Sequence, residues 1–450
     1  MMSEAADLIT DASKLRIISH HDSDGIAAAA IAVFVARRLG LRYEILIRNQ
    51  LLPEDFSDPS YIYWFNDLGS ARIRDMKGIS GIITDHHSPV VNESHYVENG
   101  NNIYQFNPHL EGFDGSISQS GSTTTFLFSL NVLPEVSAIS HVPVIGSLGD
   151  LHDKKFCRLV DSDREVMLLA ERMGLVEIKE DIRYFGRSSK SVAYMLRFGN
   201  DPKINELYDN PQRVAAFLEE HGLDNEEIRK IRWIDLTEEK KSEIINSLKG
   251  MLEREGGESS RLVGEVYELR SEPKDSLIKD LRDFSSFINA TSRKGKPEIG
   301  IKLCLFERGE VMTEAMKLYT DHLDSLRKAS KVLEEVEGKR VGNVLFYDFG
   351  DSLENNITGT VATRIITHKK VYPSSIVIVM ANLGQSKKIS ARISPDLADR
   401  IDLSELFKHA ASAVGGSGGG HRNAAGAIVP MGRELEFIRR INELTGSNPL

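Results

Sequence analysis

The apolar positions of residues 1–150 fall into short continuous runs, each closed by a polar cluster. "LRIIS" (15–19), "YEILI" (43–47), "YIYWFN" (61–66), "GIIT" (81–84) and "NIYQFN" (102–107) read as strands. "GIAAAAIAVFVARRLG" (25–40) and "SARIRDMKG" (70–78) read as helices between them. Apolar strands alternating with helices predict an α/β fold with a doubly wound, mostly parallel sheet. Ligands of such sheets bind beyond the carboxyl ends of the strands.

Beyond residue 155 the pattern changes to charged, helix-forming sequence such as "NEEIRKIRWIDLTEEKKSEIINSLKGMLERE" (225–255), which reads as solvated amphipathic helix. "FINATSRKGKPEIG" (287–300) stands out as small, polar and basic. From 341 a second, smaller α/β pattern follows. "VGNVLFYDF" (341–349), "SSIVIVMAN" (374–382) and "KISARIS" (388–394) are its strands, and "GTVATRIITHK" (359–369) and "LSELFKHAASAV" (403–414) its helices. A glycine-rich loop, "GGSGGGHRNAAGAIVP" (415–430), leads into the last strand. The expected domains are 1–195, a mainly helical middle segment and connector over 196–340, and 341–450.

Composition adds little to this picture. The chain has 450 residues, of which 41% are hydrophobic and 27% charged, as in ordinary globular proteins. The two cysteines, Cys157 and Cys304, lie too far apart for a disulfide framework or a CxxC metal motif. The longest apolar run, "IAAAAIAVFVA" (26–36), is too short to span a bilayer, and the first residues lack a signal-peptide pattern. A cytoplasmic protein with no membrane partner is expected. A net charge of -10 argues against a generally basic nucleic-acid coat but leaves room for a local basic groove.

The polar clusters carry the chemistry. "HHDSDG" (20–25) follows the first strand, "NDLGS" (66–70) the third and "TDHHSP" (84–89) the fourth. "GSLGD" (146–150) closes a further apolar run, read as another strand end. A single Asp after a strand is most often a helix cap. Four such clusters, all directed to one sheet edge, make a metal site instead. Carboxylates gathered together repel unless a cation lies between them. A mixed carboxylate–imidazole set suits manganese, and also admits magnesium, iron or zinc. An Asp shared between two ions is the usual device of two-metal hydrolases. Gly25 would let the following helix N-terminus, with its backbone N–H groups, come close to an anion.

These motifs resemble those of the DHH phosphoesterase superfamily, most closely the RecJ-like nucleases of archaea, over nearly the whole chain. "FINATSRKG" is similar to a RecJ-type "INAxxR" stretch, and "GGSGGGHRNAAG" to the substrate motif of the DHHA1 domain. The resemblance implies two manganese ions, with magnesium as the alternative. His20, Asp22 and Asp67 would hold one; Asp24, Asp67, His86 and Asp150 would hold the other, with Asp67 as bridge. His87 would face the phosphate as acid or charge stabiliser, and Asp85 would orient its neighbours at the catalytic site; His21 has no counterpart in the family's motif and reads as a support for the ligands beside it. Arg392, Gly418, Gly419, Gly420, His421, Asn289 and Arg293 would bind substrate.

The implied activity is a manganese-dependent exonuclease acting on single-stranded DNA or RNA, in replication or repair. Basic stretches at 187–190, 292–296 and 386–388 are expected to hold the backbone. One alternative in the same class is a phosphodiesterase for short oligonucleotides or cyclic dinucleotides. An alternative of another class is a replication-complex scaffold. In archaeal relatives the middle segment contacts the GINS replication complex, so GINS is the implied protein partner.

Overall fold

The register of the first sheet decides where the polar clusters end up. In the computed structural model, which describes residues 1–368, 375–398 and 400–446, the chain packs as two units, Met1–Lys317 and Leu318–Leu450. The first unit contains β1 (Leu15–His20), β2 (Tyr43–Arg48), β3 (Ile62–Asn66), β4 (Ser80–Thr84), β5 (His95–Tyr96) and β6 (Asn102–Phe106). Their order is β2-β1-β3-β4-β6-β5, and only β5 runs antiparallel to its neighbour. Ser19 pairs with Asn66, and Asn66 with Thr84. The residues after these three, His20, Asp67 and Asp85, therefore leave the sheet side by side.

Alternation along the strands divides the core. Tyr63, Phe65, Ile18 and Ile83 face a cluster closed by Leu51, Phe56, Ile73 and Met76 from the connecting segments. Trp64 points to the opposite face, where its ring meets Phe128 edge-on at 5.5 Å. That face carries α1 (Met2–Thr10), α2 (Ser23–Arg38) and α3 (Gly121–Val132). α2 is apolar around nearly its whole circumference and is buried accordingly from Ser23 to Val33. "SARIRDMKG" forms only a single 3-10 turn, Ile73–Asp75, instead of the expected helix. It has no side-chain cap, and the chain turns extended at Met76, with φ -77 and ψ 140, directly after it.

The run before Asp150 is also corrected. "HVPVIGSLG" is a buried helix, α4 (His141–Gly149), and not a strand. A short wholly apolar run has no periodicity to separate the two.

After α5 (Asp161–Arg172), the charged middle of the chain is mainly helical, but it is bracketed by strands. β7 (Val176–Ile182) pairs antiparallel with β8 (Val263–Leu269), and the helices between them enclose a core around Trp233, Phe217, Leu248 and Met251. The helix Leu281–Arg293 then returns to pack against α2 and α4.

In the second unit β9 (Lys339–Val341), β10 (Val344–Asp348), β11 (Ile376–Leu383), β12 (Ser386–Ile393), β13 (Ser417–His421) and β14 (Ala424–Pro430) form one sheet. Its order is β13-β14-β12-β11-β10-β9, with β10 and β11 parallel. The glycine-rich segment is itself the edge strand β13 rather than a loop. Gly418 is required there, because a Cβ would stand 2.6 Å from the Phe407 carbonyl oxygen. Among the described residues no helix is long and apolar enough to cross a membrane.

Candidate metal centre

Asp67 is the hub. It leaves β3 with φ 57, a left-handed conformation that Asp tolerates better than most residues, and its side chain is 1% exposed. Among the described residues neither carboxylate oxygen receives a well-formed hydrogen bond. Instead Oδ2 faces His20 Nδ1 at 3.4 Å, and Oδ1 faces His86 Nε2 at 3.2 Å and His87 Nδ1 at 3.9 Å. A buried anion left without donors calls for a cation on each side.

The histidines are arranged to hold one. His86 Nδ1 donates to the Gly115 carbonyl at 2.7 Å, which fixes the tautomer and directs the Nε2 lone pair to Asp67 and, at 3.4 Å, to Asp150. His20 Nδ1 lies 2.9 Å from Asp22 Oδ2, and its Nε2 lies 3.2 Å from His21 Nδ1. Asp22 also caps α2, its Oδ1 accepting from Gly25 N at 3.0 Å. That turn needs glycine: a Cβ on Gly25 would stand 2.3 Å from the His20 carbonyl oxygen.

Asp24 and Asp85 are held differently. Asp24 Oδ2 accepts from Gly121 N at 2.7 Å and Oδ1 from Ser122 N at 3.1 Å, so the N-terminus of α3 grips the carboxylate. Asp85 accepts from the backbone N–H groups of Ser70, His86 and His87, and from His87 Nδ1 at 2.7 Å. It orients the two histidines.

The electrostatics set carboxylates and imidazoles in direct competition for protons. Burial, reinforced by Asp67, pushes Asp24 up to about 7. Burial and then the charges of Asp24 and Asp22 push Asp150 well above the carboxylate range. Burial works against the charged forms of His20 and His86, but the surrounding carboxylates outweigh it and raise both. Burial likewise opposes ionisation of Asp85, which the His87 and His86 imidazoles nevertheless hold low. Carboxylates and imidazoles are sharing protons that divalent ions would displace.

Donor atoms within 4.8 Å of one another form three groups: His20, Asp22 and Asp67; Asp67, His86 and His87; and His86, Asp150 and His152. Five of the six expected ligands are thus brought together; Asp24 lies beside them without joining a group. Asp150 arrives from the C-terminus of α4 rather than from a strand. Sequence reasoning missed His152, whose one signal was its place two residues after Asp150.

The expected substrate residues divide between the units. Arg293, at the end of its helix, is influenced by Asp22, while burial lowers its guanidinium pKa. Its neighbour Ser292 donates to the His21 carbonyl at 2.5 Å. Asn289 Oδ1 is buried without a hydrogen-bond partner among the described residues. In the second unit, Arg392 Nε donates to Thr363 Oγ1 at 2.9 Å and Nη1 to the Ala391 carbonyl. Gly419 has open space where a Cβ would be, and the side chain of His421 lies outside the described residues. One cation in each of two basic stretches is paired within the fold. Arg187 is buried among Asp181, Glu268 and Asp280, and Lys387 pairs with Asp348 at 2.7 Å.

Two family models match the chain: the DHHA1 domain over residues 342–447 and the DHH-CID domain over 184–262. An uncharacterised protein of Methanocaldococcus jannaschii is 26% identical, with 96% of this chain and 93% of that protein covered. The fold is similar to that of CDC45 from Entamoeba histolytica, with a TM-score of 0.67 at 12% identity over 99% of this chain and 98% of that one. It is also similar to RecJ of Thermus thermophilus in complex with Mn2+, with a TM-score of 0.57 at 15% identity. That alignment takes in all of this chain and 55% of that RecJ.

Proposed function

The chain belongs to the DHH superfamily and has a RecJ-like fold, and from that premise we propose that it is a manganese-dependent exonuclease of single-stranded DNA or RNA. The observation that carries this reading is Asp67, whose Oδ2 faces His20 and whose Oδ1 faces His86, neither oxygen receiving a well-formed hydrogen bond among the described residues. His20, Asp22 and Asp67 would hold one ion, and Asp24, Asp67, His86 and Asp150 the other, with magnesium as the alternative metal. Bound there, the ions would activate a water and neutralise charge developing on the phosphate.

The chain's own residues complete the reaction. Asp85 holds His87 through Nδ1, so the ring meets the phosphate with its other nitrogen, as acid or charge stabiliser. Arg293 and Asn289 sit on the helix whose end is tied to the His21 carbonyl, and they contact the substrate backbone. The DHHA1 residues Arg392, Gly418 to Gly420 and His421 bind the terminal nucleotide. The edge position of β13 and the open space at Gly419 support this, since backbone N–H groups can there approach a phosphate.

A replication-complex scaffold is the second reading. It is kept because the likeness to CDC45 covers both chains almost entirely. GINS, through the middle segment, is the partner proposed for either role. The experiment that decides is incubation with manganese and single-stranded DNA or RNA labelled at either end. A ladder that shortens from one end supports the nuclease. Intact substrate, with protein shown to bind manganese, supports the scaffold.

A further inference from the structure

His152 belongs to none of the four motifs, yet it is 1% exposed and lies on the turn directly after Asp150. Its Nδ1 is 2.6 Å from Asp163 Oδ2 on α5. Asp163 is itself fixed, its Oδ1 accepting from Ser120 N at 3.1 Å and from Ser147 Oγ at 2.9 Å. A carboxylate oxygen at Nδ1 places the imidazole proton there and leaves the lone pair on Nε2. That nitrogen has no hydrogen-bond partner among the described residues. The ring lies 5.8 Å from that of His86, and one donor atom each of His86, Asp150 and His152 falls within 4.8 Å. A carboxylate that fixes the Nδ1 side of a histidine standing beside other donor residues is the arrangement of metal-ligating histidines. Asp24, the residue the motif assigns to this ion, already accepts hydrogen bonds on both oxygens.

We propose that His152 is a ligand of the ion held by His86 and Asp150, and that Asp163 is the positioning residue that sets its tautomer and aim. The proposal rests on the metal-centre reading above. A purely structural pair would tie the turn to α5 and leave metal binding alone, and His152→Asn separates the two cases. The Asn amide stands near the position of Nδ1, so it keeps a donor to Asp163 while removing Nε2.

The measurement is manganese stoichiometry and affinity by calorimetry and by electron paramagnetic resonance on metal-stripped full-length protein, with a melting curve for each variant. Wild type should bind two ions. His152→Asn should melt close to wild type, with one of its two ions weakened by about ten- to hundredfold. Asp163→Asn is a second arm should His152→Asn fail to fold, and it should weaken the same ion to a smaller degree. Two ions of unchanged affinity in a folded His152→Asn would overturn the proposal while leaving the metal centre standing. If wild type binds manganese no better than Asp67→Asn, the metal-centre reading fails and the proposal with it.

Discussion

His86 Nε2 stands 3.2 Å from Asp67 Oδ1, and it is held there because His86 Nδ1 donates to the Gly115 carbonyl. The pair joins β3 to β4 at the point where the register sets their ends side by side.

Asp67→Asn is the cleanest test of that relationship. Asn tolerates the left-handed backbone at φ 57 as well as Asp does, whereas Ala there would add strain to the loss of charge. With the bridging charge gone, manganese affinity should fall by about a hundredfold or more, and cleavage of a labelled single strand should fall with it. The circular dichroism spectrum should remain that of wild type. Near wild-type cleavage by the variant would remove Asp67 from the bridge.

Gly25→Ala tests the turn that brings Asp22 and Asp24 together. The new methyl would meet the His20 carbonyl oxygen at 2.3 Å, so β1 or α2 must shift. The expected cost is about 1–3 kcal/mol in chemical denaturation, with reduced manganese affinity, because His20 and Asp22 flank the clash. Unchanged stability would mean that the turn relaxes freely.

Much of this site was legible in the sequence, because β1, β3 and β4 each carry their polar residues immediately after an apolar run. What was not legible is non-local. Asp150 closes a polar motif, but the apolar run before it is a helix and not a strand, since a buried run such as "VPVIGSL" looks the same in either form. His152 depends on Asp163, and neither residue shows its partner locally. Val176 pairs with Leu269 across the whole helical middle segment, so no short-range pattern announces that sheet. "RSSK" read as a basic patch because the acids that bury Arg187 come from distant segments.

Arg187 consequently has a stability role rather than a substrate role. Its guanidinium, 2% exposed, donates to Asp181 at 2.9 Å, Glu268 at 2.7 Å and Asp280 at 2.9 Å. Arg187→Met would remove the cation shared by three buried carboxylates, leaving Glu268 to Lys179 at 2.7 Å and Asp181 to Lys241 at 4.0 Å, at a cost of about 3–5 kcal/mol. Denaturant titration should show that loss. The salt dependence of nucleic-acid binding by the folded variant should remain unchanged, and a shallower salt slope would return Arg187 to the substrate surface.

His141 should make stability pH-dependent. Fully buried on α4, with Nε2 donating to the Cys304 carbonyl, it is pushed by burial from 6.5 down to about 3. The unfolded chain therefore takes up a proton at this residue before the folded one does. The contribution is complete above pH 6.5 and is lost as pH falls toward 3, with a slope of about 1.4 kcal/mol per pH unit between them. His141→Gln keeps a donor for Cys304 without a titrating group. Acidification from pH 7.5 to 5 should cost wild type more than this variant, and equal losses would contradict the assignment.

Metal-linked stability gives a final test that does not depend on knowing the substrate. Without ions, the folded state must keep the Asp67 carboxylate buried without donors, and must hold Asp24 and Asp150 in raised-pKa environments. Ions that bind only the folded chain relieve that cost and add a mass-action term. Manganese at a hundred times its dissociation constant should raise unfolding stability by about 2.7 kcal/mol for each ion bound. Thermal melts with stripped protein, added manganese and excess chelator would read this directly. The increment should vanish in Asp67→Asn if, as proposed, that carboxylate bridges both ions. An equal increment in the variant would place the stabilising ions somewhere other than the centre between β1, β3 and β4.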